Sequence, residues 1–172
     1  MTRDVISTQE AWNFALALYA EGSVATHLLS LQDAYDCNVN VLLLLQYLAH
    51  KKLNIDAQCL NQLSLAIADS QEELKAHRVM RREAKADSPR VYQQLKDQEI
   101  ELERIQHSLL LDRINKWTTE RLLNGVTSET HSGNETNMLE IYLTGYSVPK
   151  KVIEQTITTL QQAYISMRGS IE

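Results

Sequence analysis

The stretch LLSLQDAYDCNVNVLLLLQYLAH, Leu28 to His50, sets Asp33, Asp36, Asn38 and Asn40 directly before an apolar run with almost no polar face. On a helix, VNVLLLLQYLAHKKL carries apolar groups on nearly every side, the pattern of a segment enclosed by neighbours. Asn38 or Asn40 can accept an amide hydrogen bond at its start, and Lys51 and Lys52 suit the partial negative charge at its end. The stretch therefore reads as a capped central helix, which the rest of the chain must enclose.

Upstream, STQEAWNFALALYAEG offers a capping box in Ser7 and Glu10 and a terminator in Gly22, which predicts a first helix over about residues 8 to 21. Ser23 can cap a second, with Leu28, Leu29, Leu31 and Tyr35 as its packing surface. Downstream, Asp56 can cap a helix beginning AQCLNQLSLAIADS, which either runs on through EELKAHRVMRREAK or bends near Asp69 and Ser70. DSP at residues 87 to 89 joins a capping serine to a proline at the first helical position. From there a helix of more than thirty residues reaches toward Gly125, with Leu95, Leu102, Ile105 and Leu109 near one stripe. A helix so long needs tertiary packing or a helical partner, and antiparallel pairing through the DSP turn supplies the first. TSETHSGNET reads as an exposed loop, Asn134 or Asn137 as the cap of a short helix ending at Gly145, and Ser147 with Pro149 as the start of the last. The expectation is a single all-α domain over residues 1–172: a compact orthogonal or irregular helical bundle with a long antiparallel hairpin.

A net charge of −5 gives no general attraction to nucleic acid or anionic membrane. The longest apolar run, Val41 to Leu45, is far too short to span a bilayer, and the first residues lack the apolar core of a signal peptide. Cys37 and Cys59 have no second cysteine pair beside them and read as reduced. These features favour a cytoplasmic protein without membrane insertion. No HExxH signature, phosphate-binding glycine loop, dinucleotide fingerprint or nucleophile elbow is present, so no cofactor is expected and no enzyme class follows.

Residues 70–123 hold 21 of the 39 charged side chains. In KAHRVMRREAK, Arg78 and Arg82 share a helix face, as do Arg81 and Lys85, and two such rows can hold a phosphate or carboxylate. The plainer alternative pairs them with Glu83, Asp87 or the acids of the next helix. Glu99, Glu103 and His107 form a second ladder, but not the Glu-x-x-His repeat of a helical two-metal bundle, so ion pairing outranks metal binding. Asp33 and Asp36 can work as acid and base only if folding perturbs them, whereas capping and turn formation already explain Asn38 and Asn40. Nucleic-acid binding through Arg78, Arg81, Arg82 and Lys85 lacks aromatic support and is opposed by neighbouring acids.

WNFALALYAEGSVATHLLSLQDAYDCNVNVLLLLQYLA, with Trp12, Leu31-Gln32-Asp33 and Val39-Asn40, resembles the opening of an uncharacterised, chiefly proteobacterial family of small helical proteins, domain of unknown function number 2390. The basic segment followed by Glu99 and Glu103 resembles that family's second region. Cys37 and Asn38 stand where such proteins more often carry small or acidic residues, and the tryptophan expected before the basic run is missing. The resemblance implies an all-helical domain and supplies no substrate or catalytic residue.

Two functional readings follow. The first is a helical interaction or regulatory domain whose Arg78, Arg82 and Lys85 contact an acidic group on a protein or small ligand, with self-association left open. The second is a small-molecule enzyme or binding protein in which Asp33 and Asn40 share an interhelical pocket with Arg78 or Arg82 and Glu103; Glu99 stands with these residues as a ligand-binding candidate.

Overall fold

The computed structural model describes residues 6–124 and 137–169. These form an irregular, partly orthogonal bundle of eight helices without a strand: α1 Thr8–Tyr19, α2 Val24–Tyr35, α3 Val39–His50, α4 Ala57–Ala66, α5 Ala68–Asp87, α6 Pro89–Leu123, α7 Met138–Gly145 and α8 Lys150–Gly169. The loop expected over Thr127–Thr136 and the terminator Gly125 lie outside the described residues.

Local chemistry sets most of the helix starts. The side chains of Ser7, Asn38, Asp56, Ser88 and Asn137 each accept a hydrogen bond from a backbone N–H two or three residues ahead, and Pro89 follows Ser88 as the first helical residue. Two expectations need correction. Glu10 pairs with Lys51, the residue that caps the end of α3, drawing the first helix onto the central one, while Ser23 makes no side-chain capping bond. In place of such a cap, Gly22 takes a left-handed φ of +46° and the chain turns so sharply that α1 and α2 meet at 97°. No single helix among the described residues is long and apolar enough to cross a membrane, and α1 with α2 passes that test only as this bent pair.

α3 is the enclosed element. Every residue from Asn40 to Leu48 is buried, and Val41 to Leu45, Tyr47 and Leu48 belong to one apolar core shared with α1, α2, α4, α6, α7 and α8. α5 contributes nothing to that contiguous core. The break that sets α5 apart falls at Ile67, two residues before Asp69, where the side chain stays in the core and the Ser70 hydroxyl donates to the Ile67 carbonyl at 3.0 Å.

α5 then folds back on α6 as the antiparallel hairpin. From Arg78 to Leu102 no side chain is buried and the outer part of the hairpin is a two-helix arm, whereas Glu103 and Arg104 bond Asn40 of α3 and Gln9 of α1 at its root. The stripe of Leu95, Leu102, Ile105 and Leu109 does not pack inward: Ile105 is 56% exposed and Leu109 39%. α6 instead buries Gln106, His107, Leu110, Leu111 and Ile114, the face that meets α1, α3 and α4.

A polar knot holds the root of the arm. Gln106, fully buried, accepts from the amides of Asn38 at 2.8 Å and Asn40 at 3.0 Å, and its own amide donates to Ser70 Oγ at 3.1 Å and Gln71 Oε1 at 3.3 Å. Asn38 also donates to Gln71 Oε1 at 2.7 Å, and its backbone N–H donates to the Tyr142 hydroxyl at 2.9 Å. Four helices are thereby pinned at one point with every hydrogen-bonding position of the Gln106 amide used. Replacing Gln106 by Leu leaves buried donors on α3 short of an acceptor. The expected cost is about 3 kcal/mol of unfolding free energy with helix content retained, measured by urea denaturation.

Candidate interaction site on the helical arm

The antiparallel register of α5 and α6 brings the basic segment against the acidic ladder. Arg78 Nε lies 3.3 Å from Glu99 Oε1 and its Nη2 3.3 Å from Glu103 Oε1, while Arg81 Nε reaches Glu99 Oε2 at 2.5 Å. The Arg81 guanidinium also lies over the Tyr92 ring, 6.0 Å from its centre. These side chains are mostly shielded, so the pairs carry more electrostatic weight than fully exposed ones. Burial pushes the Glu103 carboxyl above the usual carboxylate range, against the opposing pull of Arg78. The Tyr19 phenol at the end of α1 is pushed up chiefly by burial and then by the Glu103 charge.

Arg82 and Lys85 differ from Arg78. Both are exposed and, among the described residues, neither enters an ion pair. Arg82 Nε donates to the Arg78 carbonyl at 3.3 Å, which props the guanidinium along the helix and leaves its remaining donors outward. The basic row thus divides into an inner pair, Arg78 and Arg81, that closes the arm, and an outer pair that is open to solvent.

The other candidates disperse. Asp33 is exposed on α2, and the α2–α3 carboxylate that reaches α5 is Asp36, paired with Lys75 at 3.0 Å. Asp36 occupies the left-handed region, φ 60°, just past α2, which turns its side chain toward α5. Asn40 does lie beside Glu103, but its amide donates to the Glu103 carbonyl at 3.2 Å and to Gln106, so it is committed to the knot. Two open surface concavities lie elsewhere: one of about 230 Å³ lined by Glu21, Gly22, Thr159 and Gln162 among others, and one of about 220 Å³ at Tyr164, Ile165, Arg168 and Gly169. None of the residues assigned to an interhelical pocket lines either.

His107 does not join Glu99 and Glu103. It is fully buried with its ring 5.3 Å from Trp12 in an edge arrangement, and neither ring nitrogen has a hydrogen-bond partner. Among the described residues no group of three His, Cys, Asp or Glu side chains is placed to hold a metal ion. Reading the sequence missed the inward roles of Gln106 and His107. Their signal is positional: both continue the Leu110, Leu111 and Ile114 face toward the N terminus at helical spacing.

Comparison with known proteins now bears on the arm. A model of the family described as "Protein of unknown function (DUF2390)" matches residues 10–110. The chain belongs to this family. The matched region runs from α1 through the whole arm to the buried stretch of α6, and it includes Arg78, Arg82, Lys85, Glu99 and Glu103. No curated protein and no solved structure matches significantly.

Burial lowers the His107 pKa from 6.5 to about 4. The folded protein therefore holds a neutral imidazole where the unfolded chain takes up a proton, so this contribution is complete above pH 6.5 and is lost as the pH falls toward 4. The loss amounts to about 3 kcal/mol. His107→Leu is expected to flatten this part of the profile, so that its advantage over the parent protein grows from pH 7 to pH 4.5 in thermal or urea unfolding.

Proposed function

We propose that the protein is a single-domain helical interaction or regulatory protein that offers the outer face of its arm to an acidic group on a protein partner. Arg82 and Lys85 make the contact, and Arg78 with Arg81 keeps the arm in shape through Glu99 and Glu103. The observation that carries this reading is the arm itself, in which nothing from Arg78 to Leu102 is buried and two exposed cations stand on one helix unpaired among the described residues. Holding that much helix away from the body has an entropic cost without a return in burial, which a partner's surface would offset. Guanidinium and ammonium groups presented one helical turn apart suit a carboxylate-bearing segment. Cys37 and Cys59 are buried free thiols whose burial pushes their pKa up to about 11 and about 12, which suits a reducing compartment such as the cytoplasm.

A photo-crosslinking residue placed at the exposed Ala86 tests the proposal in cells, with the same residue at Gln155 of α8 as control. The expected result is a discrete protein adduct from position 86 whose captured segment is rich in Asp and Glu, and which is lost when Arg82 and Lys85 are both changed to Gln. An adduct that survives R82Q/K85Q, or labelling from position 86 no different from position 155, overturns it.

A further inference from the structure

His50, the last residue of α3, differs from the other histidines among the described residues. His107 is fully buried, and His77, also buried, gives its Nε2–H to the Leu95 carbonyl. His27 is half-buried and faces the Thr156 hydroxyl at 2.7 Å; that hydroxyl already donates to the Val152 carbonyl, so His27 spends its Nε2–H there. His50 is exposed, its Nδ1 lies 2.5 Å from the Tyr164 hydroxyl of α8, and its Nε2 has no hydrogen-bond partner among the described residues.

The exposed ring is nonetheless held in place. Phe14 of α1 stacks on it with the planes 9° apart and the centres 5.5 Å apart, and the Tyr164 ring centre is 5.0 Å away. Two cations stand nearby: Lys51, next in the chain and paired with Glu10, and Arg168, one turn beyond Tyr164, whose guanidinium lies 5.9 Å from the centre of the Tyr164 ring. Burial first, and then the charges of Lys51 and Arg168, hold the imidazole below its usual pKa against the opposing pull of Glu10, so it is predominantly neutral at pH 7. The open concavity at Tyr164, Ile165, Arg168 and Gly169 adjoins the pair.

We propose that His50 is a phosphoryl acceptor, its Nε2 taking the group from an N-phosphoryl donor on a partner protein. Packing α8 onto α3 calls for a flat ring at this position, but not for an exposed one with one nitrogen tied and the other open. A nucleophilic imidazole needs its lone pair at the reacting nitrogen and its proton at the other. The Tyr164 hydroxyl both accepts and donates, so it takes the Nδ1–H bond before transfer and gives its own O–H to Nδ1 afterwards. In the step itself the Nε2 lone pair forms the new N–P bond as the donor's P–N bond breaks. The donor nitrogen leaves with that electron pair as a neutral base, and the ring carries positive charge on Nδ1–H until the proton passes to the freed base. Glu10 competes for Lys51, which makes Arg168 the main counter-charge to the bound phosphoryl oxygens. The sequence has no phosphate-binding glycine loop, which fits transfer from an already activated donor in place of a bound nucleotide. The proposal does not depend on an acidic partner at Arg82 and Lys85.

Reaction of the full chain with phosphoramidate at neutral pH, followed by peptide mass spectrometry and phosphorus NMR, tests it. One acid-labile phosphoryl group is expected on Nε2 of His50, forming about tenfold faster than at His27 or His131 and losing that preference in urea. His50→Gln removes it. Tyr164 is a positioning residue, so Tyr164→Phe is expected to slow the reaction about tenfold and to spread the product over both ring nitrogens, whereas Arg168→Gln slows it without the spread. Circular dichroism of each variant should match the parent. A folded chain that takes no phosphoryl group at His50, labelling of His50 no faster than of His131, or an unchanged rate and isomer in Y164F, each overturns the proposal.

Discussion

The fully buried amide of Gln106 is the constraint on which the arrangement of the other elements depends. Its oxygen collects the amides of Asn38 and Asn40 at the start of α3, and its nitrogen reaches Ser70 and Gln71 at the start of α5. An apolar residue there would let α6 slide along its neighbours, because dispersion between leucines has little directional preference. A primary amide with four fixed partners admits one register, so the central helix, the root of the arm and the long helix are locked together. Asn38 extends the lock to α7 through the Tyr142 hydroxyl. Burial holds the tyrosine phenol far above its ordinary pKa, against the opposing pull of the Asn38 N–H, so it stays protonated.

Beyond that knot the principle of construction changes. The body is held by a continuous apolar core, whereas α5 supplies only Leu74 and His77 to buried positions and rests on α6. His77 bonds the Leu95 carbonyl at 2.9 Å, and the next turns outward are joined by Arg78, Arg81, Glu99 and Glu103. Charged seams of this kind are specific in geometry but weak in net energy, so the tip of the arm is where local opening costs least. A segment with few buried contacts and a defined shape is well suited to recognition, since docking can supply the burial that folding left out. The acidic ladder of α6 therefore has a structural role: it pairs with Arg78 and Arg81, while Arg82 and Lys85 stay exposed beside the equally exposed Glu83 and Asp87.

What the sequence discloses and what it conceals follow the range of the interactions involved. Caps at Ser7, Asn38, Asp56, Ser88 and Asn137 act over two or three residues, and those positions are legible because donor and acceptor are neighbours in the chain. The central helix is legible because no face of it could be wet. The break at Ile67 is less so, since it is set by a core position and not by the polar pair Asp69 and Ser70 that advertises a bend. Asp33 and Asp36 look alike in sequence, yet a left-handed turn at Asp36 decides which of them meets α5. Which stripe of α6 goes inward is decided by α1, α3 and α4, elements distant in the chain, and they choose the one containing Gln106 and His107. Hydrophobic periodicity favours the other.

That choice explains the character of α6. One stripe is buried and begins with an amide and an imidazole, and the other is apolar and largely uncovered. The inner stripe tolerates Gln106 because every polar atom of its amide is matched, but His107 has no such match and is kept neutral by enclosure against Trp12. The outer stripe keeps a coiled-coil repeat that contributes little to the fold of one chain. An exposed row of branched side chains invites indiscriminate association unless something limits its partners. Asp97 and Glu101 beside the row and Gln98 within it, all exposed, provide that limit, because an apolar surface laid over the row would have to strip them of water.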